Sequence, residues 1–274
     1  MVTTNFLLLS ALTLGVLGLV FGVLLGYASK KCAVPVDPRV AKIRQVLPGI
    51  NCGGCGYVGC DAYAEAVAAG EAKVNLCVAG GASVARDVAS VMGVAPGEME
   101  RKVAFVKCGG SPDKAVWKYD YFGVRDCRKA VITPGGGPKA CEYGCLGFGT
   151  CVEVCQFDAI HIVNGIAVVD DSLCVGCGLC VDICPKNIIE IRNASELPLV
   201  ACSSPEKGKD VRQVCEVGCL GCGLCAKICP EQAITMENNL PVVDFTKCTN
   251  CGICAEKCPT GAILREPPLR AKSA

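Results

Sequence analysis

A chain of 274 residues with 25 cysteines, one histidine and 5% aromatics commits about one residue in eleven to sulfur. A formal net charge of +1, with no basic stripe interleaved with stacking aromatics, removes the case for nucleic-acid binding. The cysteine count is odd and most cysteines fall in Cys-x-x-Cys runs whose close neighbours pair poorly with each other, so ligand spacing decides between disulfides and metal.

The first predicted element is an uncharged run from Phe6 to Tyr27. At ~1.5 Å per residue it reaches roughly 33 Å, enough for a hydrocarbon core of ~30 Å. From Phe6 to Leu25 nearly every residue is Leu, Val, Phe or Gly, and fourteen Leu, Val and Phe side chains at ~0.4 kcal/mol each favour insertion by about 5–6 kcal/mol. A cleaved signal peptide would need a positive n-region and a shorter apolar core, whereas no charged side chain precedes Lys30. Ser29-Lys30-Lys31 before Cys32 does not suit lipoprotein cleavage either, so residues 1–29 are predicted to be an uncleaved transmembrane anchor. Lys30, Lys31, Arg39, Lys42 and Arg44 crowd its C-terminal flank, which by the positive-inside rule puts the rest of the chain in the reducing cytoplasm.

Residues 30–105, which open with a predicted linker at Pro35–Pro38, form a predicted small cysteine-rich domain. Its signature is Cys52-Gly-Gly-Cys55-Gly-Tyr-Val-Gly-Cys60 followed by Cys77. The glycines let backbone approach a cofactor closely, and Asp61 to Ala69 reads as a helix stopped by Gly70. Four cysteines without histidine suit zinc or a [4Fe–4S] cluster on spacing alone; beside the cysteine motifs farther along the chain, iron–sulfur is favoured.

Residues 106–138 are a predicted connecting segment holding Cys108, Cys127 and the Gly-rich turn Thr133–Pro138. Two repeated units come next, 139–195 and 196–274. Cys141, Cys145, Cys151, Cys155, Cys174, Cys177, Cys180 and Cys184 each have a partner 74 residues on, at Cys215, Cys219, Cys225, Cys229, Cys248, Cys251, Cys254 and Cys258. Within each unit a period of 29 relates its halves, and the similar settings of Cys108 and Cys202 lie 94 apart. Between the motifs, Ala159–Val163 with Ile166–Val169, and Ala233–Met236 with Pro241–Val243, predict two hairpins turning at Asn164-Gly165 and Asn238-Asn239. Single helical turns are expected after Cys180 and Cys225. The expected class is α+β: one N-terminal transmembrane helix, a small Cys-rich 4Fe-4S domain, and tandem bacterial 2[4Fe-4S] ferredoxin-like units.

In the second unit, Cys219-x2-Cys222-x2-Cys225-x3-Cys229-Pro230 and Cys248-x2-Cys251-x2-Cys254-x3-Cys258-Pro259 are the bacterial ferredoxin run, in which the fourth cysteine ligates the other cluster. One cube then takes Cys219, Cys222, Cys225 and Cys258, and its partner Cys248, Cys251, Cys254 and Cys229. Structural zinc uses two Cys-x2-Cys pairs per ion and has no use for the third cysteine or the proline. In the first unit Cys174, Cys177, Cys180 and Cys155 complete one cube. The other has Cys145, Cys151 and Cys184, but Phe148 occupies the place of Cys222. Cys141, Cys127 or no thiolate at all could complete it, and proximity favours Cys141.

This accounts for five clusters. Cys108, Cys127, Cys202 and Cys215, with the juxtamembrane Cys32 set aside, leave arithmetic room for a sixth, against buried thiols packing as small hydrophobes. His161 reads as an ordinary strand residue, and the Trp117, Tyr119, Tyr121 alternation as strand packing. No Gly-x-Gly-x-x-Gly at a strand-to-helix junction, Walker motif or nucleophile–base constellation appears, so neither flavin, nucleotide nor a catalytic residue is expected on this chain.

The order of parts resembles the B subunit of the Rnf complex, the ion-translocating ferredoxin:NAD+ oxidoreductase, over nearly the whole chain. The double ferredoxin unit and Cys141-Glu-Tyr-Gly-Cys-Leu-Gly-Phe-Gly-Thr-Cys151 are similar to the longer form of Clostridium-like anaerobes; Cys155-Gln156 departs from the usual Cys-Pro. The resemblance implies a non-catalytic electron-transfer subunit of an Na+- or H+-transporting translocase in the bacterial inner membrane. It would accept electrons from soluble ferredoxin and pass them to membrane and NAD- or flavin-binding partner subunits. The other readings are a membrane-anchored polyferredoxin serving another reductase or hydrogenase, and a zinc-stapled scaffold.

Overall fold

The computed structural model describes residues 2–31 and 37–268. Cys32 and residues 35–36 of the expected linker lie outside them. Helix α1 (Val2–Lys31) carries Leu12, Leu14, Leu19 and Leu25 more than half exposed, and among the described residues it is the one helix long and apolar enough to cross a membrane. Lys30 and Lys31 end it.

The small domain is three helices around one core. Asp37 caps α2 (Pro38–Val46) by accepting from the Arg39 N–H at 2.8 Å, with Pro38 in the first turn where a missing N–H costs nothing. Helix α3 (Cys60–Ala69) stops at Gly70, which adopts the left-handed conformation (φ 79°), and α4 (Gly81–Met92) ends the same way at Gly93. Ile43, Tyr63, Val67 and Val88 interlock between them, each at most 1% exposed.

Strand β1 (Lys102–Val106) lies, but for Val106, in the span expected for the small domain, yet it pairs antiparallel with β4 (Ile189–Asn193) of the first ferredoxin unit, Lys102 opposite Asn193 and Val106 opposite Ile189. Between them come the short helices α5 (Cys127–Ala130) and α6 (Thr150–Glu153), the hairpin β2 (Ile160–Val163) and β3 (Ile166–Val169), and α7 (Leu179–Ile183). Asn164 (φ 47°) and Gly165 (φ 70°) give the turn its two left-handed residues.

The second unit repeats this plan. Strand β5 (Leu199–Val200) pairs with β8 (Ile263–Leu264), enclosing α8 (Gly208–Val214), α9 (Leu224–Ile228), the hairpin β6 (Ile234–Glu237) and β7 (Leu240–Val243), and α10 (Ile253–Glu256). Each unit is thus clasped by a strand that arrives from upstream of its motifs. Trp117, Tyr119 and Tyr121 do not form a strand. Trp117 makes one isolated bridge to Lys139, and Tyr121 lies tilted against Phe148 with ring centroids 5.0 Å apart.

Candidate iron–sulfur centres

Cysteines gather in six groups of four. In the first, Cys60 opens α3, where its N–H donates to the Asn51 side-chain oxygen at 2.9 Å. Cys52 and Cys55 sit on the glycine loop ahead of it. Burial is the main cause that pushes the Cys77 thiol up, and Cys60, Cys55 and Cys52 add to the rise, as thiols around one site do. Tyr63 steadies the Cys77 loop: its hydroxyl donates to the Lys73 carbonyl at 2.8 Å and accepts from the Leu76 N–H at 3.2 Å.

The second group joins both halves of the first ferredoxin unit. Burial pushes Cys180 up to about 12, and Cys174, Cys177 and Cys155 act on it in turn. In the third, burial again leads in pushing Cys151 up to about 12, but the thiols adding to it are Cys145, Cys127 and Cys184, with Cys180 of the second group. Cys127, rather than Cys141, therefore stands with Cys145, Cys151 and Cys184. The physical reason is a tertiary clamp. The Cys127 N–H donates at 2.7 Å to Oγ1 of Thr150, a residue 2% exposed that adjoins Cys151 on α6, while Asp126 caps α5 and Phe148 packs on Tyr121 of the same inserted segment.

Cys141 belongs to a fourth group at the junction of the two units. Burial pushes its thiol up to about 11, and Cys108, Cys202 and Cys215 each contribute. All four line one small cavity. Relative to the expectation for a spare site, Cys141 and Cys127 have exchanged places. Cys108 and Cys202 leave the clasping strands β1 and β5, which meet where the Gly109 N–H donates to the Ala201 carbonyl at 3.1 Å. Cys141 and Cys215 precede the two motifs, and Cys215 bridges to Ala115. The sequence did carry the signal: offsets of 74 and 94 relate Cys141 to Cys215 and Cys108 to Cys202, two pairs that leave Cys127 over.

The fifth group, Cys219, Cys222, Cys225 and Cys258, lines one small cavity, and the sixth, Cys229, Cys248, Cys251 and Cys254, another.

The donors suit a four-iron cube. Backbone N–H groups aim at the sulfurs: Ala104 donates to Cys174 at 3.3 Å, and Ala167, Ala159 and Ala233 to Cys145, Cys155 and Cys229 at 3.4 Å. At Cys258 burial raises the thiol, but the N–H groups of Thr260, Ile263 and Ala262 and the Thr260 hydroxyl outweigh it and hold the value below normal. Lys139, 2% exposed and unforeseen in the sequence, lies beside the junction with its Nζ 3.9 Å from Cys108 Sγ.

Neighbouring groups lie close enough to act on one another, one after the next. Cys52 of the first acts on Cys177 of the second, and Gly54 packs so closely there that a Cβ would lie 3.0 Å from Cys177 Cα. Cys180 acts on Cys151, linking second to third. The Cys145 N–H donates to Cys108 Sγ at 3.3 Å, linking third to fourth. Cys202 acts on Cys219, and Cys254 on Cys225, carrying the file through the fifth to the sixth. Cys222 and Cys251, at that far end, are exposed.

Sequence families match the same segments: an Fe-S cluster family at residues 47–79, a 4Fe-4S dicluster domain at 173–233 and 218–262, and a 4Fe-4S binding domain at 145–159. The chain is 49% identical over 242 residues to the B subunit of the proton-translocating ferredoxin:NAD(+) oxidoreductase complex of Clostridium ljungdahlii, covering 88% of this chain and 85% of that protein. It is 45% identical over 244 residues to the Na(+)-translocating counterpart of Acetobacterium woodii, covering 89% and 73%. To the B subunit of the ion-translocating oxidoreductase complex of Methanosarcina acetivorans it is 44% identical over 216 residues, covering 78% and 81%.

Proposed function

Because the chain belongs to the family of B subunits of ion-translocating ferredoxin:NAD+ oxidoreductase complexes, we propose that its six cysteine groups hold six [4Fe–4S] clusters forming one continuous electron path from soluble ferredoxin to the membrane partners of the complex. The reading is carried by the single file of groups, above all by the junction group of Cys108, Cys141, Cys202 and Cys215, which stands between the cysteine groups of the two ferredoxin units.

Bound there, each cube supplies a one-electron carrier held by thiolates. The chain's residues do the rest. Cysteines from different segments fix the order of carriers, and backbone N–H groups aimed at sulfur favour the thiolate form. The exposed Cys222 and Cys251 suit the second ferredoxin unit as the place where ferredoxin delivers electrons. The small domain, which comes directly after α1, suits the delivering end at the membrane. With Lys30 and Lys31 at the end of α1, the rest of the chain lies on the cytoplasmic side of a bacterial inner membrane that the chain crosses once. The chain relays electrons without a catalytic residue of its own. Relatives at 49% and 45% identity are named for protons and for Na+, so the ion is a property of the assembled complex rather than of these cysteines.

Anaerobically prepared chain is expected to carry about twenty-four irons, four for each cube. Replacing Cys141 and Cys215 together by Ser should remove about four and slow reduction of the small-domain cluster by ferredoxin, while the second unit is still reduced promptly. About twenty irons in the unaltered chain, or an unchanged rate in the double variant, would sink the six-cluster path.

A further inference from the structure

Lys139 is a buried cation without a carboxylate. Its Nζ donates to the Gly110 carbonyl and, at 2.9 Å, to the Cys145 carbonyl, with Cys108 Sγ 3.9 Å away. Among the described residues no Asp or Glu forms an ion pair with it. A buried ammonium demands an anion, and carbonyl dipoles satisfy its hydrogens without cancelling its charge. The sulfurs on which its charge bears belong to two groups: Cys108, 3.9 Å away, and Cys215 in the fourth, and Cys145, whose carbonyl it binds, in the third.

The charge is also held in place. The Lys118 N–H donates to the Pro138 carbonyl at 2.7 Å and the Ala140 N–H to the Val116 carbonyl at 2.8 Å, pinning the backbone on either side of Lys139. Its stem passes over Gly144, where a Cβ would stand 3.1 Å from Lys139 Cδ. Seventy-four residues on, the second copy has Gln213, exposed on α8. The junction is built from equivalent cysteines of both copies, but one copy alone supplies a charge.

We propose that Lys139 is a fixed positive charge shared by the third and fourth clusters, which raises the potentials of both and so makes the junction between the ferredoxin units an electron-accepting step. The inference rests on the six-cluster reading. Reduction moves one electron from reduced ferredoxin onto the path and adds one negative charge near Lys139. In a protein interior that charge is attracted more strongly than in water, so the reduced state is favoured at both groups.

The test is an EPR-monitored redox titration, with iron counts, of the full anaerobically prepared chain and of Lys139→Gln and Lys139→Arg. Lys139→Gln, the residue of the second copy, should keep its iron while two midpoint potentials fall by at least about 59 mV each, a tenfold change in a one-electron equilibrium. Lys139→Arg should leave both near their original values. If Lys139→Gln instead sheds iron, recovery of the iron in Lys139→Arg supports the charge, and failure to recover it overturns the proposal in favour of plain packing. Unchanged potentials in an iron-complete Lys139→Gln overturn it as well. An iron count of about twenty in the unaltered chain identifies failure of the six-cluster reading separately, and a fall in one potential alone overturns the sharing.

Discussion

The backbone N–H of Cys145 points at the sulfur of Cys108, 3.3 Å away and 37 residues earlier in the chain. This one hydrogen bond joins a ferredoxin motif to the junction group. Phe148 is thus not a defect in the motif. Its ring packs on Tyr121 and helps to seat the inserted segment that brings Cys127 in from outside.

Single replacements of Cys127 and Cys141 by Ser should each lower the iron content by up to about four, but from different sites. Loss of Cys127 should alter the signal of the first ferredoxin unit and leave the second reducible and connected. Loss of Cys141 should spare both units and disconnect them. EPR of each variant after ferredoxin reduction separates the two outcomes, and identical spectra would refute the assignment.

Thr150 decides where Cys127 sits. Thr150→Val keeps the shape of the side chain but leaves the Cys127 N–H without its 2.7 Å acceptor. Stability of the unit should fall by about 1–3 kcal/mol, seen as a shifted denaturation midpoint under anaerobic conditions. The third cluster should become the first to be lost to a chelator.

Gly54 sets the contact between the small domain and the first ferredoxin unit. A Cβ there would meet Val78 Cγ2 at 2.7 Å and the Cys177 carbonyl oxygen at 3.1 Å, so Gly54→Ala forces the two bodies apart. A cost of about 1–3 kcal/mol is expected, with slower reduction of the small-domain cluster and unchanged iron content. Stopped-flow absorbance with reduced ferredoxin reads the rate.

Loading of the cluster-free chain should release protons and improve as pH rises. Burial, chiefly, holds Cys145 at about 11 and Cys151 and Cys180 at about 12, so these thiols are protonated at neutral pH and each must give up its proton to take iron. Roughly four protons per cluster should appear in a weakly buffered reconstitution followed by pH-stat, and a value near zero would contradict buried, protonated thiols.

Much of the chemistry was legible because its determinants are local. Cys-x2-Cys-x2-Cys-x3-Cys curls a loop around a cube within a dozen residues, Asn164-Gly165 turns a hairpin, Gly70 stops a helix, and an uncharged run makes a membrane-length helix. Nearness in sequence is then nearness in space, and a spacing rule suffices. The same rule misled at Cys141, four residues from Cys145 and nevertheless in another group.

Which distant segments share a site depends on contacts across the fold. Cys127 reaches Cys151 because Thr150 accepts its N–H, and Cys108 reaches Cys202 because the clasping strands β1 and β5 converge where Gly109 bonds Ala201. Lys139 is a surface-type residue by composition, and its burial depends on contacts with Gly110 and Cys145 that no local pattern encodes. Ligand type and spacing along the chain are enough to specify the cofactor; long-range hydrogen bonding and packing assign each cysteine to its site and set the order in which the sites meet.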